Sequence, residues 1–196
     1  MTFRLGLTGS IGMGKSTTAR MFADAGCAVW DADAAVHRAY AKGGAAVAPI
    51  AARVPQAVCD GAVDRAALRA HLQAEPADFA WLESIVHPIV ARDRADFIAQ
   101  ASADIVVLDI PMLYETGGDA HMDAVACVTA PADSQRARVL ARGTMDAAQL
   151  DQILAKQMPN AEKCARADYV IETDTLDHAA AQVRAILADI RGKQHA

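Results

Sequence analysis

Apolar and polar positions alternate along the chain on two different length scales. Short apolar runs occur at 3–8 (FRLGLT), 27–33 (CAVWDAD, with the strand ending near Asp31), 105–111 (IVVLDIP), 123–130 (DAVACVTA) and 167–173 (ADYVIET). Runs of this kind, apolar at successive positions, predict strands buried on both faces, as in a parallel sheet. Between them lie stretches with helical spacing at 15–25, 132–142, 146–157 and 175–191, the first closed by Gly26. Strands alternating with helices predict an α/β fold, a doubly wound and mostly parallel five-stranded sheet.

The interval from about 40 to 102 breaks this rhythm. It holds helical patterns such as VDRAALRAHLQ and HPIVARDRADFIAQA and no convincing strand. It is expected to be a helical insertion between the second and third strands, divided into pieces by Pro49, Pro55, Pro76 and Pro88. No internal repeat is visible.

Composition narrows the class. A chain of 196 residues suits a single domain with a proper core, and 53% apolar with 22% charged residues predicts a globular chain, disordered only in its RGKQHA tail. The net charge of -5 argues against a general nucleic-acid or membrane binder. An anionic ligand therefore needs basic groups gathered locally. Nothing reads as a signal peptide or membrane span, so the expected setting is the cytoplasm. Cys27, Cys59, Cys127 and Cys164 have no metal-site spacing and are expected to be buried free thiols.

The first strand runs into Gly9-Ser10-Ile11-Gly12-Met13-Gly14-Lys15-Ser16, which fits the phosphate-loop pattern GxxxxGK[ST] between a strand and a helix. Glycines permit positive φ and close backbone approach, so successive N–H groups can face phosphate oxygens at the positive end of the helix dipole. Gly12, Met13, Gly14, Lys15, Ser16 and Thr17 are thus the expected residues for a nucleotide's phosphates, in a kinase, an ATPase or a GTPase switch. Lys15 is placed between the β and γ phosphates and the Ser16 hydroxyl on Mg²⁺. GSIGMG is not a dinucleotide fingerprint, because the lysine and serine behind it decide the motif.

The acceptor side must say which phosphate-loop protein this is. Asp31 and Asp33 follow the second strand, at the sheet edge that carries the loop; one of them can orient an attacking hydroxyl, and either could instead cap the next helix. Asp109, ending the third sheet strand, is the expected acid toward Mg²⁺. Glu115 could line the acceptor pocket or be a solvated loop acid. Arg136, Arg138, Arg142, Lys156, Lys163 and Arg166 form the local basic region that the overall charge lacks, on a helical lid at about 136–166, with Arg142 and then Arg138 the best candidates to meet the triphosphate. His37 and His87 are candidates for substrate contact. Trp30 and Trp81 read as packing residues. No zinc constellation or guanine-reading NKxD motif is present, which disfavours a switch protein.

With these residues in view, the chain resembles the dephospho-CoA kinase family over nearly its full length. The resemblance rests on GLTGSIGMGKST, DADAAVH, VDRAALRAHL, LESIVHPIV, VVLDIPMLYE, LARGTMDAAQLDQILAKQMP and EKCARADYVIET. It implies ATP-dependent phosphorylation of the 3'-hydroxyl of the ribose of dephospho-CoA, with Mg²⁺. By the family pattern, Asp33 orients the acceptor, Lys15 clamps phosphate and Arg142 is the lid arginine. The region 40–102 becomes the CoA side, with His37, His87, Leu113 and Glu115 toward the substrate. Two departures stand out: Met112-Leu113 replaces a leucine pair, and TDTLD replaces an asparagine-glycine segment, so no adenine contact is carried over to that loop.

Overall fold

The computed structural model describes residues 2–194. Its strands are β1 (Phe3–Thr8), β2 (Ala28–Asp31), β3 (Val58–Cys59), β4 (Ala62–Val63), β5 (Ile105–Asp109), β6 (Ala124–Thr129) and β7 (Tyr169–Glu172). Its helices are α1 (Lys15–Asp24), α2 (Ala32–Tyr40), α3 (Val47–Arg53), α4 (Arg65–Ala74), α5 (Asp78–Gln100), α6 (Ala132–Ala141), α7 (Ala147–Lys156), α8 (Asn160–Arg166) and α9 (Leu176–Gln194). The predicted five-stranded α/β sheet is present, in the order β2, β5, β1, β6, β7. Strand β1 pairs in parallel with β5, Leu5 opposite Val107, and with β6, Leu7 opposite Ala126. The chain order therefore reverses beside β1, and the loop that leaves its carboxyl end lies at the switch point where such sheets bind ligands.

Alternation along the strands sorts side chains to two faces. Leu5, Leu7, Ile105, Val107, Ala126, Val128 and Ile171 pack with Phe22 of α1 and with Val183, Leu187 and Ile190 of α9. On the other face, Leu113, Tyr114 and Val125 form a smaller cluster with Met122, Met158 and Ala167. Gly6 leaves room for that cluster, since a Cβ would lie 2.8 Å from Leu113 Cδ2 and 3.0 Å from Met122 Cγ.

The chain divides into two compact units, 1–30 with 101–196 and 31–100. The second has its own core of Ala39, Ala46, Ile50, Val54, Ala57, Val63, Leu68 and Leu72, with Trp81, Leu82 and Ile89 packed against it. Three expectations are corrected in this unit. Strands β3 and β4 form a hairpin across Asp60-Gly61, with φ of 50° and 78°. Asp-Gly between apolar residues is a strong hairpin signal, and it was legible in the sequence. Pro88 does not interrupt α5. Residues on either side of it, Leu82 and Ile89, pack on the same cluster, so tertiary packing holds the helix across the missing hydrogen bond. Cys59 sits exposed beside the hairpin turn, and in the first unit Cys164 is half-buried; Cys27 and Cys127 are buried as expected, and all four are free.

At the C-terminus, Arg191–Gln194 continue α9 rather than being disordered, with Arg191 paired to Asp104 at 2.7 Å; the last two residues of the expected tail lie outside the described residues. No helix among the described residues is long and apolar enough to cross a membrane.

Candidate active site

The phosphate loop owes its path to its glycines and to side chains reaching it from far along the chain. Gly12 and Gly14 have φ of 80° and 91°, and Gly14 caps α1 in the left-handed conformation. A Cβ on Gly12 would lie 3.0 Å from the backbone oxygen of Gln135, and one on Gly14 would lie 2.9 Å from Thr173 Oγ1. The Met13 side chain is buried in the core beneath, and its N–H donates to Ser10 O at 3.2 Å, so it anchors the loop. Gln135 Nε2 donates to Ile11 O at 2.7 Å, Thr173 Oγ1 donates to Met13 O at 2.9 Å, and the Ser10 N–H donates to Asn160 Oδ1 at 2.9 Å. Among the described residues, the N–H groups of Gly12, Gly14, Lys15 and Ser16 make no bond to protein outside the helix ladder. The loop thus offers a run of donors at a helix N-terminus, the arrangement that favours a phosphate.

Lys15 forms an ion pair with Asp109, whose side chain is almost wholly buried. A buried carboxylate needs such a partner, and the pair ties the end of β5 to the start of α1. Ser16 and Thr17 are exposed in the first turn of α1.

A cavity of about 340 Å³ opens beside the loop, lined by Gly12, Gly14, Thr17, Arg138, Arg142 and the 173–176 segment, with Met21 and Ala179. Arg138 is fixed there, its guanidinium donating to Thr173 Oγ1 at 3.0 Å. Arg142, at the end of α6, is exposed and has no side-chain partner among the described residues. The two arginines supply cationic donors at a glycine-rich anion cradle, and the exposed Leu176 adds an apolar wall. At the rim, the Thr175 N–H and the His178 ring hold Asp174 below the usual carboxylate range.

The other basic residues of the expected lid have different duties. Arg136 pairs with Asp151 at 2.8 Å and Arg166 with Asp119 at 3.0 Å. Lys163 is a correction: it is fully buried, its Nζ 2.8 Å from Glu115 Oε1 and donating to Pro111 O at 2.9 Å. Glu115 also accepts from the Met158 N–H at 2.9 Å. Burial alone would raise the Glu115 carboxyl; Lys163 and backbone N–H groups outweigh it and hold it below its ordinary value. Glu115 is therefore neither solvated nor unengaged. Leu113, expected toward the acceptor, is fully buried over Gly6 and acts as a packing residue.

In the unit 31–100, Asp31 caps α2, its Oδ1 accepting from the Ala34 N–H at 2.9 Å. That leaves Asp33, in the first turn, exposed and without a side-chain partner among the described residues. His37 lies four residues on and is exposed, on the same helix face. His87 is exposed on α5.

Thr173, Gln135, Gln157 and Asn160 escaped sequence reasoning. They act on the loop from more than 120 positions away, and polar residues at such distances leave no periodic signal.

A parallel sheet with this loop at its switch point, a paired lysine and two arginines on the adjoining cavity define a protein of the phosphate-loop kinase class. The dephospho-CoA kinase family model matches residues 3–178. A dephospho-CoA kinase of Ruegeria pomeroyi is 65% identical over the whole length of both chains, and one of Cereibacter sphaeroides is 62% identical over 96% of each. A crystal structure from Thermus thermophilus superposes with a TM-score of 0.86 at 32% identity, covering 96% of this chain and 97% of that one. The chain belongs to the dephospho-CoA kinase family.

Proposed function

We propose that this protein transfers the γ-phosphoryl group of ATP to the 3'-hydroxyl of the ribose of dephospho-CoA, giving CoA and ADP. The observation that carries the reading is the run of unengaged loop N–H groups beside Lys15, with Arg138 and Arg142 on the adjoining cavity, in a chain of this family. The acceptor oxygen attacks the γ phosphorus while the bond to the bridging oxygen breaks, and ADP leaves. The transition state is loose, so the protein's task is alignment and charge stabilisation.

Lys15 and Arg142 stabilise the charge on the transferring group, and Arg138 orients the nucleotide. Asp33 orients the acceptor hydroxyl and receives its proton; Asp31, as the helix cap, leaves it available for that work. His37, one turn along α2, and His87 on α5 are the further acceptor-side candidates. The region 136–166 serves as the lid and the helical unit as the CoA side. The reaction belongs in the cytoplasm.

Ser16 and Asp109 are hard oxygen donors of the kind Mg²⁺ takes in ones and twos, with phosphate and water completing its shell. Asp109 would then share its carboxylate between the ion and Lys15. The ion supplies neutralisation of charge on the β and γ phosphates.

The test is ADP release with Mg-ATP across dephospho-CoA, shikimate and nucleoside monophosphates, with the phosphorylated position read by NMR. Dephospho-CoA is expected to give the highest kcat/KM and a 3'-phosphate product. A higher kcat/KM on another acceptor overturns the assignment.

A further inference from the structure

We infer that Gln157 and Asn160 are positioning residues for the phosphate loop, setting where the nucleotide's phosphate chain begins; the inference rests on the ATP-binding part of the proposed function. The loop's first two donors after Gly9 are taken by side chains. The Ser10 N–H donates to Asn160 Oδ1 at 2.9 Å and the Ile11 N–H to Gln157 Oε1 at 3.2 Å. Asn160 is itself anchored, its Nδ2 donating to Val128 O at 3.2 Å on β6. Between them, Met158 donates its N–H to Glu115, which Lys163 holds in place. The segment 157–163 is therefore a strap fastened at both ends to the sheet's loops.

Two consequences follow from this geometry. Ser10 and Ile11 are removed from the set of donors that can meet an anion, so the cradle starts at Gly12. The carbonyls of Ile11 and Met13 are held as well, by Gln135 and by Thr173, and the Met13 N–H donates to Ser10 O at 3.2 Å, so the backbone on either side of Gly12 is fixed while the Gly12 N–H stays open to an anion. A loop pre-set in this way spends less ordering entropy when phosphate binds. Gln157 also follows α7 directly, so its hydrogen bond joins the end of that helix to the loop.

The experiment measures ATP affinity by calorimetry in the full chain, without acceptor, for the wild type, Gln157→Met and Asn160→Ala, together with KM for dephospho-CoA and thermal midpoints. Each lost bond is expected to weaken ATP binding about 3- to 10-fold, while KM for the acceptor stays within about 2-fold. Gln157→Met keeps the volume and removes only one bond, so it remains informative if Asn160→Ala fails to fold. Unchanged ATP affinity in a folded Gln157→Met protein overturns the inference, even if its thermal midpoint falls. A wild type that binds ATP but leaves dephospho-CoA unphosphorylated overturns the acceptor assignment and leaves the inference standing.

Discussion

Asp31 and Asp33 are chemically the same side chain two positions apart, and the backbone gives them different roles. Asp31 has extended φ and ψ and spends its carboxylate on the helix cap, whereas Asp33 is in the first helical turn with its carboxylate exposed. Asp31→Asn keeps a capping oxygen and should leave turnover near wild type, while Asp33→Asn should lower kcat by at least about 100-fold, as should Lys15→Ala. Steady-state kinetics on dephospho-CoA decide it; equal losses for the two aspartates would remove the distinction. Gly12 shows the same logic for backbone. Gly12→Ala combines φ of 80° with a Cβ 2.6 Å from Val139 Cγ2 and 3.0 Å from a carbonyl oxygen. Strain plus overpacking should cost about 2–5 kcal/mol in a denaturant melt.

At the scale of elements, α8 is fixed to the loop after β5 by a buried ion pair, Lys163 with Glu115, and by the more exposed pair of Arg166 with Asp119. Lys163 is fully buried, and Glu115 Oε2 is buried with no partner among the described residues, so without Lys163 the Glu115 carboxylate keeps only backbone N–H donors. Lys163→Met should therefore cost about 3–5 kcal/mol by stranding Glu115. The pH dependence has a definite sign. Glu115 is held below its ordinary value of 4.5, so its stabilisation is complete above that pH and is lost as pH falls through the lower folded value. Thermal midpoints of wild type and Glu115→Gln measured from pH 6 to 3 should converge on the acid side; parallel curves would refute the pairing. This element also marks the boundary of what the sequence makes legible. Glycine spacing and apolar period are local, so the loop, the sheet and the helices could be read directly. Lys163 sits in a basic run like any surface lysine, and only the fold brings it to Pro111 and Glu115. The Asp60-Gly61 turn is the opposite case, a local signal that was present and outweighed by the helical patterns around it.

For the whole molecule, the two compact units separate the chemistry by chain segment. The phosphate loop, Arg138, Arg142 and the 173–176 segment all belong to the unit of 1–30 and 101–196, whereas Asp33, His37 and His87 belong to 31–100. A nucleotide held by the first set stabilises that unit by mass action, by about 2.7 kcal/mol at a concentration of 100 times its Kd. For a chain of this size such a gain corresponds to roughly 5–10 °C in thermal midpoint. Hydrogen exchange locates the gain more finely than melting does, because protection follows local opening. ATP alone should slow exchange in 10–17, 135–142 and 173–179 and leave α3 and α4 unchanged, since those helices pack on the core of their own unit. Adding dephospho-CoA should then extend protection to α2, where Asp33 and His37 share a face. Protection of α2 by ATP alone, equal to that seen with both substrates, would mean that the helical unit answers to the nucleotide, and the assignment of Asp33 to the acceptor would fall.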